Sequence, residues 1–246
     1  MILKRKIYKK LLEWKKECQG KKALLIEGAR RIGKSTICEE FGKNEYKSFL
    51  LIDFAKKDKE VEGYFEKYLN DLDTFFMLLQ THFGTKLTER NSLIIFDEVQ
   101  MFPQARAAIK YLVADGRYDY IETGSLISIR ENVKNIVIPS EERHINMYPL
   151  DFEEFAIALE EDLLVEYIKK CFEKREPLER SMHNQAMLLF HQYMLVGGMP
   201  MPVVTFIESK KDFTEADREK RDILKLYRED IMKIDAKYRS KVLAIY

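Results

Sequence analysis

No apolar run in this 246-residue chain approaches the roughly 20 residues needed to cross a bilayer. The basic N-terminus, "MILKRKIYKKLLEWKKE", has neither an apolar signal core nor a small-residue cleavage site. These two absences speak against a membrane span and a secretory leader, so a cytoplasmic protein without membrane contact is expected. Cysteine is scarce as well: Cys18, Cys38 and Cys171 are far apart and form no CxxC pair, which excludes a disulfide framework and fits a reducing compartment. The four histidines, His82, His144, His183 and His191, have neither metal-ligand spacing nor triad partners. Net charge is almost missing, at +1 from 42 Lys and Arg against 41 Asp and Glu, so bulk charge gives no argument for nucleic acid. The basic "KRKIYKK" reads as a solvated helix face. Internal repeats and low-complexity stretches are absent too.

What the chain does have is 46% hydrophobic and 34% charged residues, enough for a substantial core under a densely charged surface. Short continuous apolar runs, "KALLIEG", "YKSFLLIDF", "SLIIFDE" and "YDYIETGS", read as strands buried on both faces, with a fifth in "HINMYPL". Helical segments separate them: about Arg5 to Glu17 before the first, "KSTICEEF" after it, one long region over 61–83, and "QARAAIKYLVADG". This alternation predicts a doubly wound α/β fold with a mainly parallel sheet. From Asp151 the pattern turns helical, with "PVVTFI" the one segment that could still be a strand. Residues 1–150 are therefore expected as one domain and 151–246 as a smaller helical subdomain, the start of a longer C-terminal region.

The stretch "LLIEGARRIGKST" completes the pattern GxxxxGK(S/T) with Gly28, Gly33, Lys34 and Ser35, between a predicted strand and a predicted helix. Such a loop turns its backbone amides toward phosphate oxygens, and the following helix adds the positive end of its dipole. Gly28, Ala29, Arg30, Arg31, Ile32, Gly33, Lys34, Ser35 and Thr36 are the candidate nucleotide-binding residues. Lys34 should reach the β- and γ-phosphates and Ser35 should hold Mg²⁺. Arg30 and Arg31 are open between phosphate contacts, contacts to a neighbouring subunit, and solvated charges.

"LIIFDE" delivers Asp97 and Glu98 to the carboxyl end of a central strand, where ligands of open α/β sheets bind. Asp97 is the candidate second Mg²⁺ ligand. Glu98 is the candidate base that polarises a water for attack on the γ-phosphorus. A water-directed glutamate favours an ATPase over a metabolite kinase, which needs a pocket for an acceptor hydroxyl. Thr123 and Ser125 in "YIETGS" are candidate sensors of the γ-phosphate or the water. Arg143, with Arg130 behind it, is the candidate arginine that neutralises transition-state charge, from the same chain or from a partner.

The ordered set "GARRIGKST", "LIIFDEVQMFP", "YIETGS", "MYPLDFEEF" and "YMLVGGMP" resembles a prokaryotic AAA+-type P-loop ATPase family. In that family a winged-helix segment and a restriction-endonuclease-like domain commonly follow the ATPase core. The resemblance runs from the phosphate loop to about Pro200 and more faintly to "YREDIMKID". It implies nucleotide and Mg²⁺ roles for Lys34 and Ser35, Walker B roles for Asp97 and Glu98, and a sensor role for Thr123 or Ser125. It also implies that the endonuclease-like domain is missing beyond Tyr246. Two positions depart from the family pattern: Leu126 replaces the second serine of a TGSS turn, and Glu142-Arg143 replaces a Gly-Arg pair. The "EF" motif is Glu154-Phe155, and the glycine pair Gly197-Gly198 reads as a helix cap and turn.

The expected function is Mg²⁺-dependent ATP hydrolysis coupled to a conformational change in an appended domain or partner. Two alternatives stand beside it: a nucleotide-gated protein- or DNA-binding module with little turnover, and a small-molecule kinase. ATP is the expected ligand, with a protein partner, self-association or DNA left open.

Overall fold

Residues 1–125 and 140–232 are described by a computed structural model. The apolar runs form β1 (Ala23–Gly28), β2 (Ser48–Asp53), β3 (Ser92–Asp97) and β4 (Asp119–Ser125), and β5 spans Glu142–Asn146. Ala23, Leu24, Leu25 and Ile26 are fully buried, and every position of β3 is buried, because helices cover both faces of a parallel sheet. The sheet has the order β2-β3-β4-β1-β5, and all its pairings are parallel. The expected mainly parallel sheet is entirely parallel among the described residues.

Parallel neighbours need crossovers, and α2 (Lys34–Glu45), α3 (Lys59–Lys67), α4 (Leu72–Phe83) and α5 (Pro103–Asp115) supply them, with α1 (Ile7–Cys18) ahead of the sheet. The region 61–83, expected as one helix, is two. Asp71 starts α4 by accepting the Thr74 N–H at 3.2 Å, a side-chain cap that competes with continued helix. Because β4 lies between β1 and β3, the carboxyl ends of these strands adjoin, with Ile26 opposite Thr123 and Phe96 opposite Glu122. Behind the end of β3, Phe54, Phe65, Phe96 and Phe102 pack with ring centroids 5.3 to 5.8 Å apart.

The chain divides into two compact units: Lys6–Tyr148, and the residues from Pro149 onward together with Met1–Arg5. The second unit consists of α6 (Phe152–Ala158), α7 (Asp162–Lys174), α8 (Arg180–Val196), α9 (Pro200–Glu208) and α10 (Phe213–Ile231). Among the described residues it is wholly helical. "PVVTFI" therefore lies in α9, not in a strand: Pro200 takes the first helical position, and Val203 and Phe206, three apart, are both fully buried.

Glu154 of the "EF" motif has a structural place. The Asp151 carboxylate accepts the Glu154 N–H at 2.9 Å while Glu154 accepts the Asp151 N–H at 3.2 Å, and Arg5 lies 3.3 Å from Glu154. Asp151→Ala is expected to cost about 1 kcal/mol of stability, read as a lower thermal midpoint. At Gly198 a Cβ would sit 2.1 Å from the Leu150 carbonyl oxygen, so the second glycine of the pair serves a close backbone approach. No helix of the described residues is long and apolar enough to cross a membrane.

Candidate functional site

β1 ends at Gly28, where a Cβ would lie 2.4 Å from the Met147 carbonyl oxygen and 2.5 Å from Ile32 Cδ1. Only glycine fits between them. Ile32, grouped above with the nucleotide-binding residues, is fully buried, so its side chain anchors the loop from within. Arg31 (φ +65°) and Gly33 (φ +89°) adopt left-handed backbone, which curls the loop into the start of α2. That helix begins without a side-chain cap or an acid in its first turn, leaving amide donors and the positive dipole end for an anion. Ala29, Arg30 and Arg31 line the exposed side, and Thr36 is exposed on the first turn.

Lys34 is 5% exposed and folds back over the loop, its Nζ donating to the carbonyls of Gly28 at 3.1 Å and Ala29 at 2.9 Å. Burial lowers its ammonium below the usual lysine value, and Glu98 and Asp97 draw it part of the way back. An entering phosphate would offer this cation a partner it lacks among neutral carbonyls. Cys38, one turn along α2, is fully buried, and burial pushes its thiol pKa well up, which keeps it inert.

The structure brings Ser35 and Asp97 together across 62 positions of sequence: the serine hydroxyl donates to Oδ1 and Oδ2, each at 2.8 Å. Thr123 Oγ1, from β4 between the two motifs, also donates to Asp97 Oδ1. The same Thr123 oxygen accepts the Glu98 N–H at 3.3 Å, so one hydroxyl fixes both acidic positions. A hydroxyl and one carboxylate form a hard oxygen pair of the kind Mg²⁺ uses when phosphates and water fill its remaining positions. Among the described residues no cluster of three metal-ligating side chains offers an all-protein cage.

Glu98 follows β3 in left-handed backbone (φ +53°), uncommon for a non-glycine residue. The chain then makes a 3₁₀ turn, Val99–Met101, and the Gln100 amide donates to Glu98 Oε2. Sequence reasoning missed Gln100, which lies in "LIIFDEVQMFP" two residues past the acids and was given no role there. Ser125 lies opposite Gly28 in the β1–β4 register, at the mouth of the loop.

Arg143 is not brought to this site within the chain. It lies opposite Leu24, about 13 Å before Gly28 at roughly 3.3 Å per residue, and its guanidinium pairs with Glu17 at 2.6 Å. Leu126 and Arg130 lie outside the described residues.

A family model described as an AAA domain matches residues 20–156. No curated protein matches the chain. Among solved structures, the chain is similar to PCH-2 of C. elegans, with 12% identity, a TM-score of 0.42, and coverage of 88% of this chain and 65% of that one. It is also similar to domain III of the Thermotoga maritima replication initiation protein DnaA, at 16% identity, a TM-score of 0.41 and coverage of 87% and 90%. A third is a Signal Transduction ATPase with Numerous Domains (STAND) protein with a tetratricopeptide repeat sensor from Pyrococcus horikoshii, at 18% identity and a TM-score of 0.44. There the match covers 94% of this chain and 34% of the other. The chain thus spans 65% of PCH-2 and about a third of the STAND protein. The family match takes in more than half of the 246 residues and holds both the loop and the acidic pair, and the chain therefore belongs to the AAA domain family.

Proposed function

We propose that this chain binds ATP with Mg²⁺ in the loop from Gly28 to Thr36 and hydrolyses it, with Glu98 as the base. Membership of the AAA domain family supports ATP binding and ATPase chemistry in general. The observation that carries the finer reading is the junction of Ser35, Asp97, Thr123 and Glu98 beside the phosphate loop.

In this reading Lys34 exchanges its two loop carbonyls for phosphate oxygens, and the amides of the loop and of the first turn of α2 hold the rest of the phosphate chain. Ser35 and Asp97 would hold Mg²⁺, which when bound would supply charge neutralisation on the phosphate oxygens. Glu98 accepts a proton from the water that attacks the γ-phosphorus. Thr123 keeps Asp97 and the backbone of Glu98 in place, and Ser125 is positioned to sense the γ-phosphate. Coupling to an appended domain or partner belongs to the same proposal and is motivated by the helical unit that follows Pro149.

The test is phosphate release by the purified chain with ATP, with and without Mg²⁺. Multiple turnovers that stop on chelation support the reading. A phosphorylated acceptor in place of free phosphate would identify a kinase. The position of Arg143 opposite Leu24, away from the loop, favours slow turnover by an isolated chain, which leaves the nucleotide-gated binding module as the second reading. ATP bound tightly with no turnover, alone or with a candidate partner protein or DNA, would select it. Lys34→Ala is expected to weaken ATP binding about 10- to 100-fold, from the loss of one or two charge-assisted hydrogen bonds, as read by titration with a fluorescent ATP analogue.

A further inference from the structure

The geometry points to Gln100 as a positioning residue for hydrolysis: its buried amide holds Oε2 of Glu98 and so turns Oε1 toward the attacking water. This assignment rests on the hydrolytic reading above.

The backbone of Glu98 is well fixed by its left-handed conformation and by the N–H bond to Thr123 at 3.3 Å. Those constraints stop at the Cα. The side chain beyond it has three rotatable bonds, is only partly buried, and lies within the electrostatic reach of the Lys34 ammonium. Left to itself the carboxylate would be drawn to that cation, the partner ATP requires. A competing donor has to hold it, and the Gln100 amide is that donor.

Gln100 stands on a rigid mount. It is 8% exposed and sits in the 3₁₀ turn closed by Met101 N–H to the Glu98 carbonyl at 2.9 Å and Phe102 N–H to the Val99 carbonyl at 3.1 Å. Phe102 then stacks on Phe54 at 5.3 Å, tying the turn to the aromatic core. The chemistry of the group also suits the task. A neutral amide orients a carboxylate without a full positive charge that would suppress its basicity, and it occupies one oxygen while leaving the lone pairs of the other open.

The experiment uses Gln100→Met, which keeps the volume and removes the donor, beside Gln100→Ala. With kcat from phosphate release and Kd from fluorescent-ATP titration, kcat is expected to fall about 10- to 100-fold while KM and Kd change by less than about threefold. In a Glu98→Gln background the Gln100→Met substitution is expected to add nothing, because the group it orients is gone. Without turnover as the readout, the gain in affinity of ADP on adding aluminium fluoride is expected to shrink in Gln100→Met. Wild-type kcat in Gln100→Met, or a loss that repeats in the Glu98→Gln background, would overturn the assignment. A wild-type chain that binds ATP yet neither hydrolyses it nor tightens on ADP with aluminium fluoride would instead overturn the hydrolytic reading, and the assignment with it. Should Gln100→Ala fail to fold, the matched-volume variant decides.

Discussion

Glu98→Gln is expected to lower kcat for ATP hydrolysis by on the order of 10²- to 10⁴-fold, the usual range for removing a general base, while leaving ATP affinity within about threefold. The split follows from geometry. Glutamine preserves the length of the side chain and can still accept the Gln100 bond, and the Glu98 N–H to Thr123 comes from the backbone, which the substitution does not touch. Only the proton-accepting carboxylate is lost. Asp97→Asn should behave differently, because Asp97 receives Ser35 and Thr123 directly, and a weaker partner there disturbs the proposed Mg²⁺ pair before any chemistry occurs. Phosphate release and fluorescent-ATP titration on both variants check the contrast. An unchanged rate in Glu98→Gln removes that residue from its role.

Much of this arrangement was legible from local pattern. Buried parallel strands read as unbroken apolar runs, and a phosphate loop demands its glycines by sterics, as Gly28 shows where a Cβ would meet the Met147 carbonyl oxygen at 2.4 Å. Ser35 and Asp97 were each read as a candidate Mg²⁺ ligand, and their direct hydrogen bonds are an addition from the structure. What stayed hidden depends on partners distant in sequence or on breaks inside a period. The 61–83 region keeps its apolar spacing through Asp71, and the turn over 68–71, closed by the Asp71 N–H to the Tyr68 carbonyl and ended by the Asp71 cap, divides it. "PVVTFI" has strand-like composition, but burial of Val203 and Phe206 in the core of the helical unit overrides propensity. Gln100 acts through a bond two residues back, which no periodicity reveals. Glu142, noted only as a departure from a family Gly-Arg pair, turns out to be the partner of Arg106, 36 residues earlier. Glu142 thus has a structural role, in an ion pair between β5 and α5.

Arg106→Met is expected to destabilise the chain by about 3–5 kcal/mol, the typical cost of removing one partner from a buried ion pair. The Arg106 guanidinium donates Nε and Nη2 to Glu142 at 3.0 and 2.8 Å, and the side chains are 4% and 0% exposed. Burial works against its charge, and the bonds and charge of Glu142 more than offset that, so its pKa is held above the usual arginine value. Glu122 on β4 lies in the same cluster, fully buried, and no amide, hydroxyl or guanidinium donor among the described residues bonds to either of its carboxyl oxygens. Burial first, then the charge of Glu142, push its pKa well above the ordinary 4.5. The folded chain therefore carries a proton on Glu122 over a range in which the unfolded chain has released it. Its contribution to stability is complete below 4.5 and is lost as pH rises through the raised value. Glu122→Gln, a neutral isostere of the protonated acid, should flatten that slope and match or exceed wild-type stability toward pH of about 8, as measured by urea unfolding at several pH values. Arg106→Met should steepen it, because buried carboxylates stripped of their cation gain more from a proton. If Glu122→Gln keeps the wild-type slope, Glu122 is not the group that holds the proton.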